Sequence, residues 1–440
     1  MSSPESGESD VASDAAKQSR WRMDLSPLRA SSQYRKLFFG GAISFLGSMV
    51  TYVAIPFQVK ELTDSFTAVG LVGLLQLVPL ILAGLWGGAI ADALDKRKVV
   101  LICEAFSLLF SLVLVANALL PEPQLWVVYL CAMLFATADA LQRPSAEAIT
   151  PLVLDHEQLP AGAALNMSRM TAGAIIGPAI GGTILATWGT PWAYGVDAAT
   201  YVISLGFFLA LRRIPKAPDS ERASIKRIGQ GLNYAWTRKD LLGTYLIDFA
   251  AMTLAFPYAL FPFVAQALNA EWALGWLYAA GAVGGLIAAT TSGWIHRVHR
   301  HGRGLVVAAV CWGIAIGFFG LATNIWWALG LLAIAGGADM ISGIFRMSMW
   351  NQTVPDELRG RMAGLELLSF TTGPQLGQIR SGLMAQAVSL RFSIASGGFL
   401  AAGAAAIIAV FLPTMWRYDV RTSEHAIAQR EARQTSATTT

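Results

Sequence analysis

The chain has 440 residues, of which 55% are hydrophobic and only 14% charged, and it carries a net charge of +4. That balance excludes an ordinary water-soluble globular domain and places the sequence among multi-span membrane proteins. No basic patch interleaved with aromatics appears, so the positive charge is not read as a nucleic-acid surface.

Residues 1–34, rich at first in Ser, Asp and Glu and without a leading apolar run, read as a disordered cytoplasmic tail and not as a signal peptide. Apolar runs of about 20 residues, enough to cross a bilayer, follow at 38–59, 67–91, 99–119, 125–142, 161–187 and 191–211. A polar, basic linker over 213–240 reads as an amphipathic helix on the inner membrane surface. A second set of runs covers 241–267, 273–295, 304–323, 326–349, 362–386 and 392–415, and a second cytoplasmic tail covers 416–440. The expected fold is an all-α membrane protein of about twelve transmembrane helices, with 35–212 and 241–415 as two pseudo-symmetric six-helix bundles.

With the N-terminus inside, only Lys60 and Arg391 of the 32 Lys and Arg fall in outer loops. Positive charge retained on the cytoplasmic side is what orients such chains, so both termini are expected in the cytoplasm and the protein in the cell (plasma or inner) membrane. Cys103, Cys131 and Cys311 all lie within apolar runs and read as small core residues. The His296, His299 and His301 run is flanked by Arg297, Arg300 and Arg303, which repel a cation; a basic loop is expected there and no metal. Trp326 and Trp327 stand at an outer boundary, where interfacial anchors sit.

The two sets of runs repeat one plan with a period of about 200 residues. Val69-Gly70-Leu71 recurs as Leu274-Gly275-Trp276, and Ala138-Asp139 as Ala338-Asp339. Arg143 is echoed by Arg346, and Gly177-Pro178-Ala-Ile-Gly181 by Gly373-Pro374-Gln-Leu-Gly377. Halves related in this way place a binding site between them and rock about it.

On these motifs the chain resembles the major facilitator superfamily over residues 35–415. Gly88 to Asp92 with Lys96 and Arg97 resembles the superfamily signature between helices two and three. Gly173, Gly177, Pro178, Gly181 and Gly182 resemble its helix-five antiporter motif, which is reported among exporters. Arg143 to Gly182, with Arg346-Met-Ser and Pro355 to Arg361, is similar to the enterobactin (siderophore) exporter and macrolide efflux subfamily. Three departures stand out: Ala93 follows Asp92 where Arg is usual, Ser48 follows Gly47 where many members carry an acid, and no Arg lies between Leu125 and Ala138. The resemblance implies that Asp92 contacts the other half, and here any cation partner must be Lys96, Arg97 or another residue.

A charge in the bilayer core costs from about 2.5 kcal/mol upward, which makes each ionisable residue inside a span a functional candidate. Glu104, Asp197, Asp248, Asp339 and Arg380 are candidates for transport or coupling, against the alternative of hydrogen-bonded packing groups. Asp139, Arg143 and Glu147 recur at i, i+4 and i+8, on one helix face where they neutralise one another. With Asp339 and Arg346 in the equivalent place they read as an inner-gate ion network, and Arg169 is expected to pair with an inner-mouth acid.

No Gly-x-x-x-x-Gly-Lys-Ser/Thr phosphate loop occurs, and no nucleophile elbow or ligand constellation lies in the spans. The protein is expected to be no enzyme and to hold no cofactor. The expected function is secondary active export of an amphipathic small molecule, a drug or siderophore, by alternating access with protons as coupling ion. An uptake carrier for a nutrient or lysophospholipid is the alternative. Besides substrate and protons, lipid is the only partner expected, and the resemblance implies a monomer.

Overall fold

The computed structural model describes residues 24–93, 95–212 and 236–439, with the backbone alone at 83–93, 356–370, 432, 433 and 435–439. Among them every regular element is helical. In the first half these are α1 (Ser32–Thr63), α2 (Phe66–Ala93), α3 (Lys96–Ala118), α4 (Leu125–Glu147), α5 (Leu159–Trp188) and α6 (Thr190–Leu209). The second half holds α7 (Lys239–Ala255), α8 (Leu274–Thr290), α9 (His301–Leu321), α10 (Ile325–Thr353), α11 (Asp356–Ala387) and α12 (Leu390–Phe411). Ten spans among the described residues are long and apolar enough to cross a membrane. The remaining two long helices, α2 with 28 residues and α11 with 32, reach past the roughly 30 Å of a bilayer core at about 1.5 Å per residue.

Short connections make sequence neighbours antiparallel. Asp64, left-handed at φ 45°, ends α1 before α2, and Gly189 at φ 82° separates α5 from α6. Within the first half α1 packs on α5 and α6, α3 on α4 and α6, and α2 on α4. The second half repeats this with α7 on α11 and α12, α9 on α10 and α12, and α8 on α10. The halves meet through α5 on α8 and α11 on α2, a pair of contacts that the repeat relates.

One face carries the chain ends: the Arg212 amide donates to Gln33 Oε1 at 2.8 Å, Lys36 Nζ to the Ala210 carbonyl at 2.7 Å, and the Val420 amide to the His299 carbonyl at 3.1 Å. This is the terminal face. The opposite, far face has exposed Trp188, Trp192, Trp272, Trp276, Trp326 and Trp327 at its rim, as an interfacial belt requires.

The structure moves several expected boundaries. Residues 24–34 are not tail: Ser26–Ala30 is a helical turn, α1 starts at Ser32, and buried Tyr34 donates to the Gly162 carbonyl at 2.9 Å. The run expected as one helix over 241–267 breaks after Ala255, because Pro257 drives Phe256 into an extended conformation (ψ 106°); Tyr258–Leu260 and Phe261–Ala267 follow as short helices. The eighth helix stops at Thr290, ahead of a 3-10 turn over Ser292–Arg297. The last ends at Phe411 before Pro413, and a further helix, Glu424–Thr439, follows in the tail. Most of the linker helix expected over 213–240 lies outside the described residues.

Candidate transport pathway

The glycine-proline helix α5 has two working faces. Gly173, Gly177 and Gly181, spaced by four, point at α1 in the same half: a Cβ there would stand 2.4 Å from Phe45 Cδ1, 2.4 Å from Met49 Cβ and 3.0 Å from Val50 Cα. Pro178 and Gly182 face the other half. A Cβ on Gly182 would lie 2.2 Å from the Gly275 nitrogen at the start of α8, and one on Gly275 would lie 2.2 Å from the Pro178 carbonyl oxygen. The repeat builds the same crossing a second time. A Cβ on Gly70 of α2 would be 2.8 Å from the Gln378 carbonyl oxygen of α11, and one on Gly382 would be 3.0 Å from Gly70 Cα. Both crossings bring backbone onto backbone, and only glycine permits that approach.

Between the crossings lies an aromatic cluster. Tyr52 of α1 meets Tyr258 and Tyr278 of the second half at centroid distances of 6.5 and 5.8 Å, edge on. Tyr258 is presented by the break in α7, stacked on Phe256 at 4.3 Å, and the hydroxyl of Tyr278 donates to its carbonyl at 2.9 Å. That bond satisfies a backbone group freed by the break, as an apolar setting demands. Tyr52, Tyr258 and Tyr278 line a small cavity together with Gln76 and Gln378. Further out, Phe66 packs on Phe263 at 4.3 Å and Ser65 donates to Gln386 Oε1 at 3.5 Å. Every hydrogen bond or ring contact described between the halves belongs to this far-side region.

Toward the terminal face, Asp139 on α4 and Asp339 on α10 are exposed. Asp339 is within electrostatic reach of Tyr258, Asp248 and Arg346, which puts it below the aromatic cluster. Asp248 and Arg346 form an ion pair in which both side chains are largely buried. In the first half Arg143 and Glu147 pair at 3.3 Å, exposed, and Asp139 makes no hydrogen bond or ion pair among the described residues. The i, i+4, i+8 stack is therefore closed only between Arg143 and Glu147.

Arg169 departs from expectation. It lies over Gly41 and donates to Asn166 Oδ1 at 2.6 Å, a neutral amide one turn back on its own helix, and it makes no ion pair with an acid among the described residues. Arg380 donates to the Ser393 carbonyl at 2.8 Å and the Ser396 hydroxyl at 3.1 Å, lying across Gly397 and so joining α11 to α12. Arg97 donates to the Leu209 carbonyl at 2.8 Å, capping α6. Lys96 opens α3 behind the Asp95 cap, and the contacts of Gly88 and Asp92 lie outside the described residues.

The first half also encloses two acids with no cation beside them among the described residues. Glu104 accepts from Gln142 Nε2 at 2.6 Å and from the Ser204 hydroxyl, and Asp197 accepts from Thr51 Oγ1 at 2.6 Å and Ser111 Oγ at 3.0 Å. Both are fully buried.

Sequence reasoning missed the three tyrosines, because aromatics in apolar runs look like core. Pro257 and Pro262 within one run were the signal. It also missed Arg238, 5% exposed, which grips both oxygens of Asp240 at 3.0 and 2.7 Å and reaches the Thr353 carbonyl at 3.4 Å, tying α7 to the end of α10. Nearby, outside the spans, burial pushes the Tyr418 phenol up, and its hydroxyl donates to Gln352 Oε1 at 3.1 Å.

Residues 23–437 match the model of the transmembrane secretion effector family. The enterobactin exporter EntS of Shigella boydii is 30% identical over 381 residues, 86% of this chain and 91% of that protein, and the Escherichia coli EntS matches to the same extent. Among solved structures, a mutant of the nucleoside transporter NupG superposes with a TM-score of 0.71 at 14% identity, covering 87% of this chain and all 100% of that one. A bacterial homologue of the iron transporter ferroportin in an inward-facing state gives 0.65 at 14% identity over 87% and 98% of the two chains. These likenesses give the major facilitator fold, and the sequence relationship gives the membership: the chain belongs to the transmembrane secretion effector family of major facilitator transporters, membrane proteins that move small molecules and are not enzymes.

Proposed function

We propose that the protein exports an amphipathic small molecule, a siderophore or a drug, from the cytoplasm by alternating access, with protons moving inward as the driving ion. The observation that carries this reading is the pair of glycine crossings at the far face, Gly182 on Gly275 and Gly382 on Gly70. They close one end of the path with backbone contact and, among the described residues, no ion pair, while Asp139 and Asp339 stay exposed on the terminal side. In this reading the structure is the cytoplasm-facing state. The basic residues gathered on the terminal face support a cytoplasmic location for both termini. Thirty per cent identity to a protein named an enterobactin exporter supports the direction and the substrate class. One chain builds both closures and the path between them, which supports a monomer as the working unit.

The transport/coupling candidates divide by setting. Asp339, below the aromatic cluster, would meet substrate, and Asp248 with Arg346 would hold α7 to α10. Glu104 and Asp197, sealed in the first half, are kept from cargo; Glu104 has a hydrogen bond on each oxygen, and Asp197 would take the proton. Arg380, spent on α12, would hold the far ends of α11 and α12 together. The test compares cells lacking and overproducing the protein against a panel of siderophores and antibiotics, with and without a protonophore. Export predicts a difference in retained compound that the protonophore removes; a difference that survives it contradicts proton coupling.

A further inference from the structure

Asp197 stands where α1, α3 and α6 meet, fully buried. Its Oδ2 accepts from Thr51 and Ser111, while its Oδ1 has no hydrogen-bond partner among the described residues. Even this ligation is thin. Ser111 is shared with the Tyr194 carbonyl at 3.1 Å, and a serine hydroxyl has one hydrogen to give. The other titratable groups that face the carboxyl are Glu104 from α3 and Tyr194 and Tyr201 from α6 itself; α1 presents only hydroxyl and backbone. No Lys, Arg or His reaches the site among the described residues. The second half differs, since its buried Asp248 has Arg346.

A buried carboxylate without a cation and with one bare oxygen is expensive, and binding a proton removes the charge. The carboxyl is also in direct contact with a helix that serves the far closure. Gly47 and Thr51, one turn apart on α1, both touch it: a Cβ on Gly47 would fall 2.8 Å from Asp197 Oδ1 and 1.8 Å from Thr200 Oγ1, so the α1 backbone lies directly on the site. A second face of α1, through Phe45, Met49 and Val50, bears on the α5 glycines, and a third carries Tyr52 to Tyr258 and Tyr278.

We propose that Asp197 is the proton-binding site of this transporter and that Thr51 and Gly47 transmit its protonation to α1, and through α1 to the far closure. Proton loss leaves a carboxylate that draws Thr51 and Ser111 tighter; proton gain neutralises it and frees α1 to shift with Tyr52. This rests on the alternating-access reading and not on the identity of the cargo.

The test uses the full-length protein in lipid nanodiscs, in a background without native cysteines, with spin labels at Glu122→Cys and Trp327→Cys on opposite halves of the far face. Pulsed electron resonance then gives the ratio of far-closed to far-open protein as pH is varied, and infrared difference spectra follow the carbonyl stretch of protonated carboxyl groups. The wild type is expected to change ratio with pH and to lose a protonated-carboxyl band at the same midpoint. Asp197→Asn should lose that band and hold one ratio at every pH. Thr51→Val should keep the band but lose at least half of the pH response in the ratio, and it decides the matter alone if Asp197→Asn fails to fold. A pH response that persists in full in Asp197→Asn, or in Thr51→Val, overturns the proposal. No substrate enters the measurement, so a wrong export direction leaves this result standing, and a wrong Asp197 leaves the export assay unaffected.

Discussion

Replacing Gly275 by Ala puts a methyl carbon 2.2 Å from the Pro178 carbonyl oxygen and 2.9 Å from Ala179 Cα. Both partner atoms are backbone, so neither can swing aside, and the helices must part by about an ångström to restore van der Waals contact. Overpacking of this kind costs about 1–3 kcal/mol. The partner atoms belong to the other half, so the cost falls on the far-closed state and is absent once the halves separate. A differential of that size moves the ratio of far-closed to far-open protein by about 5- to 150-fold. The spin-label pair on Glu122→Cys and Trp327→Cys reads that ratio directly. An unchanged ratio in Gly275→Ala, with the protein folded and monodisperse, refutes the argument that these glycines set the closure.

Further outcomes follow from other contacts. Gly177→Leu should act inside the first half, against Met49 and the Leu46 carbonyl, lowering thermal stability in detergent while leaving the far-face ratio near that of the wild type. Arg346→Met strands buried Asp248 and should cost about 3–5 kcal/mol; a lowered melting temperature partly restored by adding Asp248→Asn checks it, and equal melting of all three proteins contradicts it. Tyr52→Ala removes two edge-on ring contacts across the halves, each about 0.5–1.5 kcal/mol, and should raise proton leak into liposomes loaded with a pH-sensitive dye; a leak equal to that of the wild type counts against the aromatic cluster as a seal.

Much of this arrangement was visible in the chain. Helix positions followed from apolar runs because the bilayer fixes a length and forbids unpaired backbone. The glycine spacing in α5 announced close approach, and the repeat had already aligned Gly70 with Gly275, the residues that the two far crossings use. What could not be read was which face of α5 met which partner, since Gly173, Gly177 and Gly181 differ from Pro178 and Gly182 only by one step around the helix. The break at Pro257 hid inside an apolar run, and with it the placing of Tyr258. Charge pairing was the least legible. Arg169 found the neutral Asn166 one turn back on its own helix, because a guanidinium with five donors is satisfied by any nearby oxygen, charged or not, and Arg380 found the α12 backbone, which spacing along its own helix does not reveal.

Vesicle orientation decides whether substrate leaves the cytoplasm through a path closed at the far face in this state. A radiolabelled compound selected by the siderophore and antibiotic panel is offered to inverted and to right-side-out membrane vesicles, each energised with a proton gradient. Accumulation is expected in inverted vesicles alone, abolished by a protonophore and by Gly182→Leu. Accumulation confined to right-side-out vesicles would make the protein an uptake carrier and overturn export.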